Sequence, residues 1–230
     1  PLANRHLETR GMAFEKFVHV PNGINVKEWQ TENTELPLEH KVFLKEHQGS
    51  FLVGYAGSHG LANALDYLVD AAAMLKNENI KIVLVGQGPE KNNLIKKANN
   101  LKIDNVFFLP SIPKQSIPLW LGQMDCLFLG ALKSTLYRFG VSMNKLYDYM
   151  MSSQPIISAL EAGNNPVKEA ECGFSVQAEN PEAIAAAILK MYNMPTEERY
   201  SLGVKGKQYV MEHHTYPALA ASFLRAMEER

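Results

Sequence analysis

Short apolar runs alternate with amphipathic stretches from residue 51 to residue 191, and this alternation restricts the fold more than any other feature. The runs are almost continuously apolar, as strands covered on both faces are. They are Phe51–Ala56, Ile80–Val85, Val106–Leu109, Cys126–Leu129, Pro155–Ser158 and Gly173–Val176. Helical patterns lie between and after them, at Ala62–Lys76, Glu90–Asn100, Pro113–Gly122, Met143–Ser152, Pro166–Glu171 and Pro181–Met191. The alternation predicts an α/β fold, a doubly wound, Rossmann-like six-stranded parallel sheet with helices on both faces.

The two ends of the chain depart from this alternation. At the N-terminal end the sequence predicts a strand at Phe17–Val20, a turn at Pro21–Gly23, a polar connection over 25–35 and a helix at Leu36–His47. At the C-terminal end it predicts two helices, Glu197–His213 and Tyr216–Glu229. We expect the apolar side of the last helix to be partly uncovered, at Leu219, Phe223, Leu224 and Met227. We therefore divide the chain into an N-terminal connecting segment over residues 1–35 and a main domain over residues 36–230.

Composition excludes some classes of function. The net charge of −1, with both signs scattered, argues against a nucleic-acid-binding surface, which needs a basic face. No apolar run approaches the ~20 residues that a membrane span requires. Of the two cysteines, Cys126 lies in a predicted buried strand, which favours a reduced, cytoplasmic protein. The chain begins at Pro1 without a leader, and we expect it to be part of a longer protein.

The first ligand-binding candidate is the loop after the first strand, with Gly57, Ser58 and His59. Small residues allow backbone N–H groups to approach a diphosphate, and the following helix start favours an anion. His59 is then placed to donate to a phosphate or to a donor-sugar hydroxyl. The alternative is a tight strand-to-helix turn with an exposed histidine, and spacing alone does not decide between them.

The loops after the second and third strands are the next candidates. Gly86 and Gln87 permit a turn that lines a nucleotide pocket, with Lys91 near a phosphate, or form a plain strand-to-helix connection. Ser111 and Ile112 lie between two prolines that keep the backbone extended. Such a backbone can bind the edge of a base while Ile112 packs on its face, or it can be only a stiff loop.

The fourth candidate is a loop that runs into a short helix. The loop contains Gly140, Val141 and Ser142, and the helix carries Asn144, Lys145 and Asp148. A helix N-terminus with a lysine suits phosphate, and an aspartate one turn later can accept hydrogen bonds from a pair of sugar hydroxyls. Phosphate and ribose together indicate a nucleotide. The alternative is a solvated ion pair between Lys145 and Asp148.

These motifs, taken in order, resemble those of a known family. They are PNGI at 21–24, YAGSHG at 55–60, LVGQGPE at 84–90, FLPSIP at 108–113, SMNKLYDYM at 142–150 and QPII at 154–157. The chain resembles the C-terminal, nucleotide-sugar-binding half of retaining GT-B glycosyltransferases of family 4, in the versions typical of bacterial surface-polysaccharide assembly. The resemblance extends from about Phe17 to the last helix. It implies that residues 1–35 are an interdomain segment and the remnant of a missing N-terminal domain, and that residues 36–230 are a nucleotide-sugar-binding, Rossmann-like domain with C-terminal helices.

The resemblance implies a glycosyltransferase whose donor substrate is a UDP- or GDP-sugar, with no cofactor and no metal. It implies catalytic roles for Lys145 and His59, and donor binding by Gly57, Ser58, Gly86, Gln87, Ser111, Ile112, Gly140, Val141, Ser142, Asn144 and Asp148. Its partners would be an acceptor glycan or lipid-linked sugar and a missing N-terminal GT-B domain, to which any membrane-facing surface would belong. The protein would act in the cytoplasm or at the inner face of the membrane, and nucleic acid is not expected as a partner.

The sequence departs from the family at two places. The family often has two glutamates with seven residues between them, and here Gly140 and Asp148 stand at those positions. The family's arginine and lysine after the first strand are absent, and Ser58, His59 and Leu61 occupy that region. Two alternatives remain: a sugar-nucleotide epimerase of GT-B fold, and a non-catalytic Rossmann-like interaction module. The first needs carboxylates and a histidine that converge across a cleft, and the second makes Lys145 and Asp148 a surface pair.

Overall fold

Six parallel strands form one sheet in the computed structural model, which describes residues 2–29 and 35–228. The strands are β1 (Phe51–Ala56), β2 (Ile80–Val85), β3 (Val106–Leu109), β4 (Cys126–Gly130), β5 (Ile156–Ala159) and β6 (Gly173–Val176). Their order in the sheet is β3-β2-β1-β4-β5-β6. The order reverses between β1 and β4, and a ligand of such a sheet binds at this switch point, beyond the carboxyl ends of the strands. The predicted fold class is confirmed.

Helices connect the strands and follow them. They are α1 (Ala3–Glu8), α2 (Leu38–Glu46), α3 (Leu65–Met74), α4 (Lys91–Leu101), α5 (Ile117–Leu121), α6 (Asn144–Met151), α7 (Pro166–Glu169), α8 (Pro181–Tyr192), α9 (Thr196–His213) and α10 (Tyr216–Glu228). Short 3₁₀ helices lie at Phe14–Lys16, Val26–Trp29, Leu61–Asn63, Lys114–Ser116 and Thr135–Phe139.

Apolar side chains cover both faces of the sheet. Alternate residues of β1 point to opposite sides, so that Val53 and Tyr55 belong to one buried cluster and Leu52 belongs to the other. The first cluster includes side chains of α3, α4 and α8, and the second includes side chains of α2, α5, α6 and α9. The central strand is therefore buried on both faces, which explains its continuous apolar run.

Some predicted elements are wrong. Residues 17–20 form no strand, and Val18 and Val20 are exposed, because no neighbouring strand satisfies their backbone groups. Residues 21–23, predicted as a turn, have no regular secondary structure, and Ile24 pairs with Thr215 in a parallel bridge. Part of the predicted connection, residues 30–34, and the predicted helix end at Glu229 lie outside the described residues.

Two predicted helices begin later than expected. In the stretch predicted as Ala62–Lys76, Ala64 has a φ of 51°, and this left-handed residue separates a 3₁₀ turn from α3. In the stretch predicted as Pro113–Gly122, the chain first forms a 3₁₀ turn, and Pro118 then occupies the first turn of α5. Proline is well suited to that position because its missing N–H has no helical partner there.

The N-terminal segment packs against the start of α10. Ile24 N–H donates to the His214 carbonyl at 2.8 Å, and Tyr216 N–H donates to the Ile24 carbonyl at 3.1 Å. A Cβ on Gly23 would lie 2.5 Å from the His214 carbonyl oxygen, so only glycine permits this approach. The division of the chain near residue 35 stays a prediction.

Candidate functional site

The β1 loop (residues 57–60) and the β2 loop (residues 86–90) lie in direct contact at the carboxyl edge of the sheet. A Cβ on Gly86, whose φ is 146°, would stand 1.9 Å from the Gly57 carbonyl oxygen. His59 N–H donates to the Gln87 carbonyl at 2.8 Å, and Glu90 N–H donates to the His59 carbonyl at 2.9 Å. The predicted residues Gly57, Ser58, Gly86 and Gln87 are therefore brought together, and the close packing accounts for the glycines.

Lys145 extends from the first turn of α6 to the β1 loop. Its Nζ donates to the Tyr55 hydroxyl at 2.6 Å and to Asn63 Oδ1 at 3.0 Å, and it lies 4.1 Å from the centre of the Tyr55 ring. The Tyr55 hydroxyl and Asn63 Nδ2 in turn donate to the Ser58 carbonyl at 2.6 and 2.9 Å. A Cβ on Gly57 would lie 2.8 Å from Lys145 Cε, so the lysine and the loop are in contact.

The Lys145 ammonium has no carboxylate partner among the described residues. Burial lowers its pKa to about 8, and no neighbouring negative charge counters this effect. A largely buried cation without a counter-ion is costly unless an anion completes the site. The alternative of a solvated Lys145–Asp148 ion pair is therefore wrong.

His59 is fully buried, so the alternative of an exposed histidine is also wrong. Burial, together with the positive charges of Lys91 and Lys145, lowers its pKa to about 4. The ring is therefore neutral near pH 7, and neither ring nitrogen has a hydrogen-bond partner among the described residues. His59 thus offers no positive charge to a phosphate at neutral pH.

Lys91 holds the ends of two strands together. Its Nζ donates to the Gly86 carbonyl at 3.0 Å and to the Leu109 carbonyl at 3.1 Å. These bonds satisfy carbonyls at the carboxyl ends of β2 and β3. The structure therefore supports a role for Lys91 in the strand-to-loop connection.

Asp148 lies one turn after Lys145 and faces a separate cavity of about 550 Å³. The cavity is lined by Gly23, Ile24, Asn25, Glu28, Trp29, Lys114, Gln115, Ile117, Pro118, Asn144, Asp148 and Tyr216. Burial raises the pKa of Asp148 to about 6, while the charge of Lys114 and a hydrogen bond from the Trp29 side chain act in the opposite direction. At pH 7 the carboxylate is mostly ionised and can accept hydrogen bonds.

The predicted loop of Gly140, Val141 and Ser142 fixes the start of α6 through two asparagines. Asn164 bonds both backbone groups of Val141, at 2.7 and 2.9 Å. Asn22 N–H donates to Ser142 Oγ at 3.0 Å, and Asn22 Nδ2 donates to the Ser142 carbonyl at 2.8 Å. The loop therefore joins the N-terminal segment to the helix that carries Lys145 and Asp148.

The third-strand loop contributes differently from the prediction. Ser111 is exposed and Ile112 is half-buried, and neither lines the cavity around Asp148. Lys114 and Ile117 of the following turns line it instead. Sequence reasoning missed Tyr55, Asn63 and Trp29, because their role depends on contacts between distant segments.

The described residues contain neither a metal-binding group nor a membrane-spanning helix. No three or more His, Cys, Asp or Glu side chains are grouped so that they could hold a metal ion. No helix in this part of the chain is long and apolar enough to cross a membrane. Cys126 and Cys172 are buried free thiols.

Comparison of the chain with known proteins identifies a matching family and a similar curated protein. The family model of glycosyl transferases group 1 matches residues 38–209. Among curated proteins, the chain is similar to WcaI of Escherichia coli (strain K12), whose name describes a colanic acid biosynthesis glycosyl transferase. The two are 27% identical over 127 residues, which is 54% of this chain and 30% of WcaI.

Two solved structures are similar over 99% of this chain. One is a glycosyltransferase from Rickettsia africae ESF-5, with 16% identity and a TM-score of 0.78. The other is Alr3699/HepE from Anabaena in complex with UDP and glucose, with 14% identity and a TM-score of 0.75. The chain spans 61% of the length of each of these two proteins. At these identities the likeness establishes a shared fold.

Proposed function

The chain belongs to the group 1 glycosyl transferases, and we propose that it is the donor-binding part of a retaining enzyme that transfers a sugar from a nucleoside diphosphate sugar. The acceptor is a glycan or a lipid-linked sugar, as in bacterial surface-polysaccharide assembly. The name of WcaI, which refers to colanic acid biosynthesis, supports this acceptor class. The acceptor site and any membrane-facing surface belong to a separate N-terminal domain, which residues 1–35 connect to the donor-binding part. The protein acts in the cytoplasm or at the inner face of the membrane.

The observation that carries the proposal is the unpaired ammonium of Lys145 beside the β1 loop. A diphosphate supplies the missing negative charge, and Gly57, which has no side chain, brings the backbone of the β1 loop close to the Lys145 ammonium. Lys145 then stabilises the negative charge that develops on the departing diphosphate as the bond to the sugar breaks. The N-terminus of α6 adds its dipole, since Lys145 is its second residue.

Asp148 and Asn144 bind the nucleoside part of the donor in this proposal. Both line the cavity on the other side of the first turns of α6, and the Asp148 carboxylate accepts hydrogen bonds from the ribose hydroxyls. Diphosphate and ribose are neighbours in every nucleoside diphosphate sugar, as Lys145 and Asp148 are on the helix. The UDP bound by Alr3699/HepE favours a uridine donor, and a GDP-sugar is the second candidate.

Calorimetric titration of the chain with UDP, GDP, UDP-glucose and GDP-mannose tests the proposal. We expect binding of one nucleotide series, and Asp148→Ala should weaken it by about tenfold or more through loss of a charged hydrogen-bond acceptor. Lys97→Ala, at a surface ion pair with Asp70, is the control and should leave the affinity unchanged. Absence of heat with all four ligands on a folded sample would contradict the donor-binding role. Binding that survives Asp148→Ala would contradict the assignment of the ribose subsite.

A further inference from the structure

Asn63 and Tyr55 connect the Lys145 ammonium to one carbonyl of the β1 loop. Asn63 Oδ1 accepts from Lys145 Nζ at 3.0 Å, and Asn63 Nδ2 donates to the Ser58 carbonyl at 2.9 Å. The Tyr55 hydroxyl likewise accepts from Lys145 Nζ at 2.6 Å and donates to the same carbonyl at 2.6 Å. An ammonium has three N–H groups. Two of them are bonded to neutral side chains, and the third has no partner among the described residues.

The backbone around Asn63 is fixed at the end of β4. Asn63 is the last residue of a 3₁₀ helix, and Leu132 N–H donates to the carbonyl of the preceding residue, Ala62, at 3.2 Å. A Cβ on Gly130 would lie 2.8 Å from the Asn63 carbonyl oxygen, so the two backbones are in direct contact. The Asn63 side chain is therefore held beside Lys145 by contacts of its own backbone, independently of the lysine.

We propose that Asn63 is a positioning residue for the diphosphate subsite, which holds the Lys145 ammonium against the β1 loop and leaves its charge and its third N–H to the donor. This inference rests on the proposed function, because it assigns Asn63 to the same donor site. The specific contribution is a neutral amide, which bonds the ammonium and the Ser58 carbonyl at the same time. An aspartate of the same size would neutralise the ammonium, and its ionised carboxylate has no N–H for the carbonyl.

The other titratable groups near Lys145 agree with this role. Burial raises the pKa of the Tyr55 hydroxyl, and the pKa of His59 is lowered to about 4, so both groups are neutral near pH 7. Lys91, whose charge also acts on His59, bonds backbone carbonyls at the strand ends. Asp148 lines the cavity on the other side of α6. The positive charge that Asn63 holds in place is therefore available to an anionic ligand.

The decisive variant is Asn63→Asp, which keeps the size of the side chain and adds a negative charge. The pKa of Lys145 is measured first, without nucleotide, by NMR on protein with ¹³Cε-labelled lysine, and Lys145→Gln identifies its signal. We expect Asn63→Asp to raise this pKa above that of the wild-type chain, because a carboxylate beside the ammonium favours its charged form. Asn99→Asp, at an exposed position of α4, is the control and should leave the pKa unchanged. An equal Lys145 pKa in Asn63→Asp and the wild type overturns the proposal.

Calorimetry at pH 7 then tests the role in binding, with whichever of UDP-glucose and GDP-mannose the wild-type chain binds. Asn63→Asp should weaken binding by about tenfold or more, because its carboxylate neutralises the ammonium. Asn63→Ala, which adds no charge, should weaken binding roughly three- to tenfold through the lost hydrogen bond to Lys145. In a Lys145→Gln background Asn63→Ala should have no further effect, since Asn63 acts through Lys145.

An equal loss for Asn63→Ala in both backgrounds, or no loss in the chain that keeps Lys145, overturns the proposal. These two Asn63→Ala measurements decide the matter if Asn63→Asp does not fold. A wild type that binds and Asn63 variants that bind equally well would reject only the role of Asn63. Absence of binding by the wild type with every nucleotide, in contrast, would reject the proposed function itself and with it any role of Asn63 in donor binding.

Discussion

At the scale of single residues, the site depends on two ionisable groups whose pKa values are shifted towards neutrality by burial. The pKa of Lys145 falls to about 8 and that of Asp148 rises to about 6. Both shifts indicate groups kept in a costly environment, which is common at functional sites. The two charges point to different sides of α6, one to the β1 loop and one to the cavity.

These two shifts predict how donor affinity changes with pH. Binding should be strongest between about pH 6 and 8, because Asp148 is protonated below this window and Lys145 is deprotonated above it. UDP-glucose is the suitable ligand, since its diphosphate has no terminal phosphate that titrates near pH 6. Calorimetry across the pH range should give a bell-shaped profile. Asp148→Asn should remove the acid limb, Lys145→Gln should remove the alkaline limb, and a flat wild-type profile would contradict both assignments.

Replacing Lys145 should make the folded chain more stable and its nucleotide binding weaker. Its pKa is lowered from 10.5 to about 8, so the native state disfavours the charged form, and this penalty is complete below pH 8 and vanishes towards pH 10.5. Lys145→Met should therefore raise the free energy of unfolding by about 1 kcal/mol at pH 7, after the loss of its two hydrogen bonds, and should weaken nucleotide binding by about tenfold or more. The gain should fade above pH 8.

Urea denaturation of the variant measures this gain, with Lys97→Met as the control. Lys97 is paired with Asp70 at 2.6 Å, so its removal should leave stability unchanged or lower it by up to about 0.5 kcal/mol. A Lys145→Met protein that is clearly less stable than the wild type would mean that the ammonium is already well compensated.

At the scale of elements, the strands and the main helices follow from apolar periodicity, whereas the site follows from it only in part. A continuously apolar run such as Phe51–Ala56 has one reasonable interpretation in an alternating pattern, and the structure agrees residue for residue. The run Phe17–Val20 has the same local character but no strand beside it, so local pattern misleads there. Ala64 shows a second limit, because its left-handed conformation interrupts a stretch whose apolar spacing predicts one continuous helix.

In the candidate site, too, local sequence predicts some positions, whereas contacts between distant segments could not be predicted. The positions of Lys145 and Asp148 at the sheet edge follow from their loop-to-helix context. The partners Tyr55 and Asn63 are 90 and 82 residues away from Lys145, and no spacing rule relates them. The burial of His59 likewise results from the packing of the β2 loop over its backbone, which only the assembled sheet produces.

The contact between the β1 and β2 loops predicts a severe effect of Gly86→Ala. The new methyl group would stand 1.9 Å from the Gly57 carbonyl oxygen, at a φ of 146° that alanine rarely adopts. We expect a loss of about 3 kcal/mol or more in the free energy of unfolding, together with loss of nucleotide binding. Urea denaturation measures the loss. Gly122→Ala is the control, because Gly122 has a φ of −65° and its added Cβ would have no neighbour closer than 3.4 Å.

A Gly122→Ala protein should differ from the wild type by less than about 0.5 kcal/mol. If Gly86→Ala also fell within this range, the two loops would not be in the close contact described, and their shared part in a diphosphate site would lose its structural basis.

At the scale of the whole molecule, the N-terminal segment, the helix α6 and the start of α10 form one connected unit. Asn22 bonds the loop before α6, Ile24 pairs with Thr215, and Trp29 lines the same cavity as Asp148. The proposed donor site is thus linked to the segment that the family resemblance places between two domains. A change in the position of that segment would act directly on the residues that we propose to bind the donor.

The same part of the molecule exposes an apolar surface. Phe223, Leu224 and Met227 of α10 are 53%, 56% and 62% exposed, and Phe223 and Met227 border a groove with Phe17 and Val18. Clustered apolar side chains of this kind favour association, whereas single ones are ordinary. We expect the chain to self-associate as its concentration rises, as measured by sedimentation velocity, and Phe223→Glu combined with Met227→Lys to shift it to the monomer.

The double variant should keep the melting temperature and the nucleotide affinity of the wild type, because both side chains lie outside the cavity around Asp148 and outside the buried clusters. Tyr200→Ser is the matched control: Tyr200 is 67% exposed on α9 and does not line the groove, so its loss should leave association unchanged. A wild-type chain that stays monomeric at every concentration would show that the exposed face of α10 is too small to drive association. Association that persists in the double variant would place the contact on another surface.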